Sequence, residues 1–515
     1  MSSVIALILS TTVSVTAEAA STEKPTTDLL IKVESTKAVG FVNQMARLTG
    51  AGTEVKTVTN TLRDGGRWVS LKSNSKSHLL SRKALQAMPG VLAVQPNYEI
   101  RQIGDYRIKD AGIRERFANF LKDRGFLGGF DGIENIIGGI IGGSSKNDNP
   151  AIPPEKTPGT GPDTLFGEQW GMTDNNVTSG WNGAQGDGIV VAVLDSGVDY
   201  THEDLVDNMW RNPGETGLDE NGQDKATNGI DDDGNGYIDD VVGWDFVSND
   251  NKPYDLSVSP LELLFGGGNP GHGTHCAGNI AARGENGTGV AGVAPKAKIM
   301  ALRFLSEKGS GDTAGALGAI QYSITMGVKV SSNSWGSIGE DPEDPAGNQA
   351  LRDIIEEARL AGQLFIAAAG NGDAQGRGYD NDTSATPAFP ASYPHENIIS
   401  VAALDRSDAL GSFSNWGAET VDLGAPGVAV FSTTVDSKYS DKVIDFPDFG
   451  LTITWDGTSM ATPHVAGAAA LYWADHPNAT MEEVRDAILN SAKPIPALNG
   501  KATTNGKLSV EELMR

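Results

Sequence analysis

The sequence predicts an α/β protein: a large unit built on a mostly parallel sheet with helices on both faces, preceded by a small α+β unit. Three observations predict it. From residue 165 onward, apolar runs of strand length alternate with segments of helical length, the succession that sets parallel strands side by side with crossover helices. Residues 28–100 instead carry short apolar runs in a β-α-β-β-α-β pattern. The length of 515 residues exceeds one ordinary domain, and 64 glycines imply many tight turns and loops.

Along the chain, Val4-Ile5-Ala6-Leu7-Ile8-Leu9 followed by Ala17-Glu18-Ala19 is an apolar stretch with a small-x-small cleavage pattern. It resembles a signal peptide over residues 1–20, without a basic start, and implies a secreted protein. No later run approaches the ~20 apolar residues of a membrane span. Residues 21–100 hold the small unit, with runs at Leu29 to Val33, Val42 to Leu48, Trp68 to Leu71, Leu79 to Met88 and Val91 to Val94. Residues 101–164 read as a linker: Ile113, Phe117, Phe120 and Leu121 fit one helix face, and glycine pairs and Pro153-Pro154 follow. The large unit then covers 165–515, with strands expected at Ile189 to Leu194, Lys298 to Leu302, Val328 to Ser331, Leu364 to Ala368 and Ile398 to Ala402. Helices are expected over 273–283, 312–326, 345–361, 459–474 and 480–491. Ligand sites of such sheets lie beyond the carboxyl ends of strands, and Asp195 and Asn371 both fall there.

Charge is divided along the chain. Residues 1–126 hold 18 Lys/Arg against 11 Asp/Glu, which leaves −33 of the net −26 on the rest. A basic front and an acidic remainder attract each other, and the acidic unit is a poor partner for nucleic acid. The single cysteine, Cys276, excludes an intrachain disulfide, so extracellular stability needs another source such as bound calcium.

Amide hydrolysis by a serine needs a base for the hydroxyl proton, a carboxylate to orient that base, and donors for the developing oxyanion. Four segments offer these groups. Asp195 ends the apolar run in Val193-Leu194-Asp195-Ser196-Gly197, and His272 stands between glycines in Gly271-His272-Gly273-Thr274-His275. Ser459 lies in Gly457-Thr458-Ser459-Met460-Ala461 at a helix start, where backbone N–H groups face outward. Asn371, in Ala368-Ala369-Gly370-Asn371, can add a side-chain amide. Taken singly, each segment has a plainer reading as a turn, loop or cap.

Together, in the order Asp, His, Ser, these motifs resemble the subtilisin-like (S8-type) serine proteases over about residues 165–495, and their propeptide more loosely over 28–100. The resemblance implies a three-layer sandwich with a mostly parallel central sheet, preceded by a small ferredoxin-like propeptide that assists folding, inhibits, and is cut off by the enzyme itself. It implies a catalytic triad of Asp195, His272 and Ser459 with Asn371 at the oxyanion. Peptide substrates would lie as an added strand between Gly309-Ser310-Gly311 and Ser334-Trp335-Gly336. Ala368, Ala369, Gly370 and Ala388 would wall the primary pocket, suited to a large apolar or aromatic side chain. Trp335 is expected to be part wall, part packing.

Two alternatives stand beside it. His275, three residues after His272, allows a metallohydrolase, although no His-Glu-x-x-His motif is present. A binding protein that kept the fold but lost activity would lack triad residues, and none is missing.

Between Asp195 and His272 lie 76 residues, more than the family usually has. They include Asp231-Asp232-Asp233-Gly234-Asn235-Gly236-Tyr237-Ile238-Asp239-Asp240, oxygen ligands spaced as at the start of an EF-hand loop. The twelfth residue is Val242 and not Glu, so a calcium site here needs another closing group, for which Asp240 is the candidate beside Asp231, Asp233, Asn235 and Asp239. Asp219 and Asn221 are weaker candidates. The resemblance implies a second calcium site at Asp204 with Asn286, Thr288 and Val290, where this loop carries an extra residue.

Overall fold

A computed structural model describes residues 28–37, 40–41, 53–73, 82–103, 150–154, 159–338, 347–447 and 450–515. The expected signal peptide, the run Val42 to Leu48 and the linker positions Ile113 to Leu121 lie outside these residues.

The small unit is a four-stranded antiparallel sheet of β1 (Asp28–Glu34), β2 (Thr53–Thr57), β3 (Gly66–Ser73) and β4 (Val91–Pro96), in the order β2-β3-β1-β4, with the short helix α1 (Arg82–Gln86) between β3 and β4. Leu29, Ile31, Val33, Val69, Leu71 and Val94 form its own core on one face. Strands alternate their side chains, so Leu30, Trp68 and Ala93 point the other way and join the core of the large unit. A further strand, β5 (Glu99–Gln102), leaves this unit and enters the large one.

The large unit is organised by β6 (Val190–Asp195), β7 (Gly243–Asp245), α2 (His272–Ala281), β8 (Lys298–Arg303), β9 (Ser310–Asp312), α3 (Thr313–Thr325), β10 (Val330–Asn333), β11 (Trp335–Ile338), α4 (Gln349–Leu360), β12 (Leu364–Ala368), β13 (Ala388–Phe389), β14 (Ile398–Leu404), β15 (Leu423–Pro426), α5 (Thr458–Asp475) and α6 (Met481–Asn490). Seven strands pair in parallel in the order β15-β14-β12-β10-β6-β8-β7, and the short strands Gly506–Lys507 and Lys493–Pro494 extend the β15 edge to nine. Val191 and Val193 of β6 face α2, α5 and α6, while Ala192 and Leu194 face α3 and α4. Both faces of every central strand are therefore buried, which is why these strands read as continuous apolar runs. Each fully buried Val or Leu contributes roughly 1.5–3 kcal/mol by the usual transfer scale. The result is the expected three-layer α/β sandwich, with strand and helix ends within two or three residues of the expected ones for the five strands and for four of the helices. For 345–361, residues 341–346 lie outside the description and the helix runs Gln349–Leu360.

Residues 150–154 and 159–164 lie on the large unit: Tyr200 donates to Pro150 O at 2.8 Å, Gly161 N to Glu285 O at 3.0 Å, and Gly287 N to Gly161 O at 2.9 Å. Ile152 packs against the main core. This end of the expected linker is thus part of the body to which it leads.

From β6 the chain runs to β7 and β8 on one side, then returns past β6 to β10 and onward on the other. The reversal leaves a crevice beyond the carboxyl ends of β6 and β10, the place where open parallel sheets bind ligands.

Candidate active site

Four chain segments meet at that crevice. Asp195 is the last residue of β6, and its Oδ1 lies 2.8 Å from His272 Nδ1, at the first position of α2. Both side chains are buried, at 1% and 0% exposure, so the pair meets little screening. Burial works against a charged imidazole, but the adjacent Asp195 carboxylate outweighs it and holds His272 well above the ordinary histidine value. The other ring nitrogen, Nε2, is buried with no hydrogen-bond partner.

A hub beneath the pair fixes it. Asp255, also buried, accepts from Ser196 Oγ (2.9 Å), Asn269 Nδ2 (2.6 Å), Thr274 N (2.8 Å) and Thr274 Oγ1 (2.6 Å). Asn269 in turn accepts from Gly271 N and His272 N through its Oδ1. One carboxylate therefore ties the residue after Asp195 to both sides of His272. Sequence reading passed over Asp255 and Asn269, since neither stands in the histidine motif.

Ser459 is the second residue of α5; its Oγ donates to Ile103 O at 2.8 Å and approaches Ser334 O at 3.2 Å. Asn371 Nδ2 donates to the same Ile103 O at 3.3 Å, while its Oδ1 accepts from Thr458 N (2.9 Å) and Thr458 Oγ1 (2.8 Å). Thr458 thus turns the Asn371 amide so that its donor faces the carbonyl held by Ser459. Gly370, at φ 112°, makes this approach possible, since a Cβ there would strike the Asn415 amide.

The carbonyl belongs to the chain itself. Strand β5 pairs antiparallel with β9 on one side (Ile100 opposite Gly311, Arg101 opposite Ser310) and with β11 on the other (Gly336 opposite Arg101, Trp335 opposite Gln102). Gln102 N donates to Gly309 O at 3.0 Å and Ile103 N to Ser334 O at 3.3 Å. The Ile103 side chain comes to Gly336, where an added Cβ would lie 3.3 Å from Cδ1. Gly309, Ser310, Gly311, Ser334 and Gly336 are therefore brought to one strand-shaped groove, and Ala388 of β13 pairs with Ile338 of the same wall. Ala368, Ala369 and Gly370 follow at the end of β12. The Trp335 side chain, with β5 in the groove, is fully buried, edge-on to Phe304 at 5.1 Å and in one apolar cluster with Ile100 of β5.

His275 does not join His272. Its ring stacks on Trp455 at 4.2 Å and its Nε2 lies 3.0 Å from Val430 O, and burial pushes its pKa down to about 3. It is a packed neutral histidine, so the pairing that a metallohydrolase would need is not formed. Cys276 Sγ lies 4.0 Å from His272 Nδ1, and burial pushes its thiol up.

The two expected calcium sites differ in how well their donors fit a cation. At Asp204 the carboxylate already accepts from Asn286 Nδ2 (2.7 Å) and Val290 N (2.8 Å), and Asn286 Oδ1 is taken by Thr288 N at 2.8 Å. Burial, opposed by those donors, pushes Asp204 up to about 7. Asn286 thus turns its amide nitrogen to Asp204 and keeps its oxygen within its own loop, so the pair does not present a shared set of oxygens to a cation. Asp163, which the sequence did not mark, caps the same loop by accepting from Glu285 N and Asn286 N.

In the insert, Asp231 and Asp233 come together with Glu215, one oxygen of each within 4.8 Å of the others. Asn235 turns its amide NH₂ to Asp233 and Asp240. Asp239 is engaged by Gly229 N, and Asp240 by Asn212 and Tyr322. Asp219 accepts from Asn221 N and Gln223 N within its own turn. The third carboxylate gathered with Asp231 and Asp233 is that of Glu215. Asp231 accepts from Asn235 N and Gly236 N, and Asp233 from Asn235 N and Asn212 Nδ2, but Glu215 Oε2 has no donor; three carboxylates gathered around it fit a hard cation.

Comparison with known proteins agrees with this geometry. The profile of the subtilase family matches residues 186–511. Thermitase of Thermoactinomyces vulgaris is 34% identical over 327 residues, 64% of this chain and 89% of that protein. A thermophilic serine proteinase of Bacillus sp. (strain AK1) is 34% identical over 65% of this chain and 64% of its own length, and subtilisin E of Bacillus subtilis (strain 168) is 33% identical over 60% and 62%. With the Asp195–His272 pair at the switch point and this match over well more than half its length, the chain belongs to the subtilase family of subtilisin-like serine endopeptidases.

Proposed function

We propose that the chain is the secreted precursor of an endopeptidase of broad specificity, favouring a large apolar or aromatic residue before the cut bond, with residues 21–103 as its propeptide. The observation that supports it most is the place of Ile103 O, shared between Ser459 Oγ at 2.8 Å and Asn371 Nδ2 at 3.3 Å. That is where the carbonyl of a bond about to be cut belongs, so the chain cuts itself between Ile103 and Gly104. His272 Nε2 takes the Ser459 proton, Asp195 steadies the imidazolium, Ser459 Oγ attacks the carbonyl carbon, and Asn371 meets the charge that develops on oxygen. His272 then protonates the leaving amine and water releases the acyl group. Calcium is the structural cofactor of the reading, and peptide substrates and the propeptide are its partners.

The test is to express the full chain and its Ser459→Ala variant and weigh both intact. The parent should yield a fragment ending at Ile103 and digest casein; the variant should stay whole. A purified variant trimmed at the same bond, or a parent cut elsewhere first, would sink this reading.

A further inference from the structure

Glu215 lies sixteen residues ahead of Asp231 and in no motif, yet it is fully buried in the insert. Its Oε1 accepts from Asp232 N at 2.7 Å and Asp233 N at 3.1 Å, which aims the carboxylate at the start of the acidic loop. Its Oε2 is buried with no donor at all. The neighbouring ammonium, that of Lys225, is spent on Gly214 O at 3.2 Å. A buried anionic oxygen without a donor is rare in folded proteins, and here the groups nearest it are further carboxylates. Such an arrangement is poor in the absence of a cation and good in its presence.

We infer that Glu215 closes a divalent-cation site with Asp231 and Asp233, supplying from upstream the carboxylate that the loop lacks at its twelfth position. The ligand class is a hard, oxygen-seeking cation. Calcium is favoured over magnesium, because three carboxylates on a turn with one exposed side suit a large ion of flexible coordination, whereas magnesium keeps its waters and demands a near-ideal octahedron. The site also has a mechanical place. Asn235 links Asp233 to Asp240, and Asp240 accepts from Tyr322 of α3, the helix that follows the groove strand β9. Filling the site therefore fixes the insert against the helix that carries one wall of the cleft. The inference deepens the calcium part of the proposed function and stands whether or not the chain cuts itself.

The experiment uses the full chain carrying Ser459→Ala, so that self-digestion cannot confuse it, stripped with chelator and titrated calorimetrically with calcium chloride and with magnesium chloride. Calcium should bind with a heat that Glu215→Gln removes or weakens at least tenfold, and magnesium should bind far more weakly. Asp231→Asn, at a half-buried position that tolerates change, should give the same loss, so the test survives if the buried Glu215 variant fails to fold. Asp204→Asn should leave that binding step in place. Melting in calcium should exceed melting in chelator by several degrees in the parent, and by less in both insert variants. No calcium heat in the parent, or an unchanged one in either insert variant, overturns the inference, as does loss of the step in Asp204→Asn.

Discussion

Asn371 is gripped by its carbonyl oxygen and turns its nitrogen to the Ile103 carbonyl. Thr458 holds the oxygen twice, so the amide is set before substrate arrives and pays no reorganisation in the transition state. Asn371→Ala should lower kcat roughly 10²- to 10³-fold with KM nearly unchanged, because the donor meets charge chiefly as it develops. Steady-state kinetics on a small peptide substrate checks this, and a rise in KM at constant kcat would assign Asn371 another role. His272 gives a second residue-scale expectation. A base must be neutral to accept the Ser459 proton, and the Asp195 charge raises the pKa of this one. A raised pKa keeps the ring protonated to higher pH, so activity is lost as pH falls through that value and is complete only above it. The acid limb should therefore lie above the ordinary histidine midpoint of about 6.5, giving an alkaline optimum. A peak near pH 4 would contradict the base assignment.

At the scale of elements, what the sequence revealed depended on burial and length. The five expected parallel strands are buried on both faces and stand out as apolar runs, such as Leu364–Ala368, predicted to the residue. The groove strands β5, β9 and β11 are four residues or fewer and their pairing is made by backbone, which leaves no periodicity to read. The meeting of Asp195, His272, Ser459 and Asn371 at one crevice was legible because each sits in a long motif. Asp255 and Glu215 were not, because each reaches its partners through folding across loops, seventeen residues from His272 in one case and sixteen from Asp231 in the other. Asp255 joins the end of β6 to the start of α2, which makes a test possible. In Asp255→Asn the new NH₂ group would face donors, leaving at least one buried polar group unpaired at a cost of about 1–3 kcal/mol. Melting should drop by several degrees and kcat about tenfold, with KM spared, since the hydrogen bonds of Asp255 go to Ser196, Asn269 and Thr274 and not to β9 or β11. Equal losses in KM and kcat would show that the groove itself had shifted.

At the scale of the molecule, the question is what holds the small unit on the large one. The sequence suggested attraction between a basic front and an acidic remainder, but such long-range charge is screened within about 8–10 Å at ordinary salt. The interface instead rests on buried, short-range contacts. Lys32 is 4% exposed and pairs with Asp353 of α4 at 2.7 Å as well as with Asp64 of its own unit, and Trp68 Nε1 donates to the same Asp353 at 3.0 Å. Gln95 Oε1 accepts from Ala350 N and Asn97 Oδ1 from Ala314 N, so two amide side chains cap the starts of α4 and α3. Leu30, Leu62 and Trp68 add apolar area to the same face. Two expectations follow from this division between near and far charge. Once the Ile103–Gly104 bond is cut, the fragment should stay bound and keep the enzyme latent, and raising salt to half molar should change the latency little. Asp353→Ala should shorten it markedly, because it strips the buried Lys32 of one partner and the buried Trp68 of its acceptor, and losing the partner of a buried polar group is costly. Asp64 keeps Lys32 from being left alone, so the small unit itself should still fold. The measurement is the lag before casein digestion at several salt concentrations, for parent and variant. Latency that collapses in salt but ignores Asp353→Ala would mean that the diffuse charge, and not the buried contact, holds the two units together.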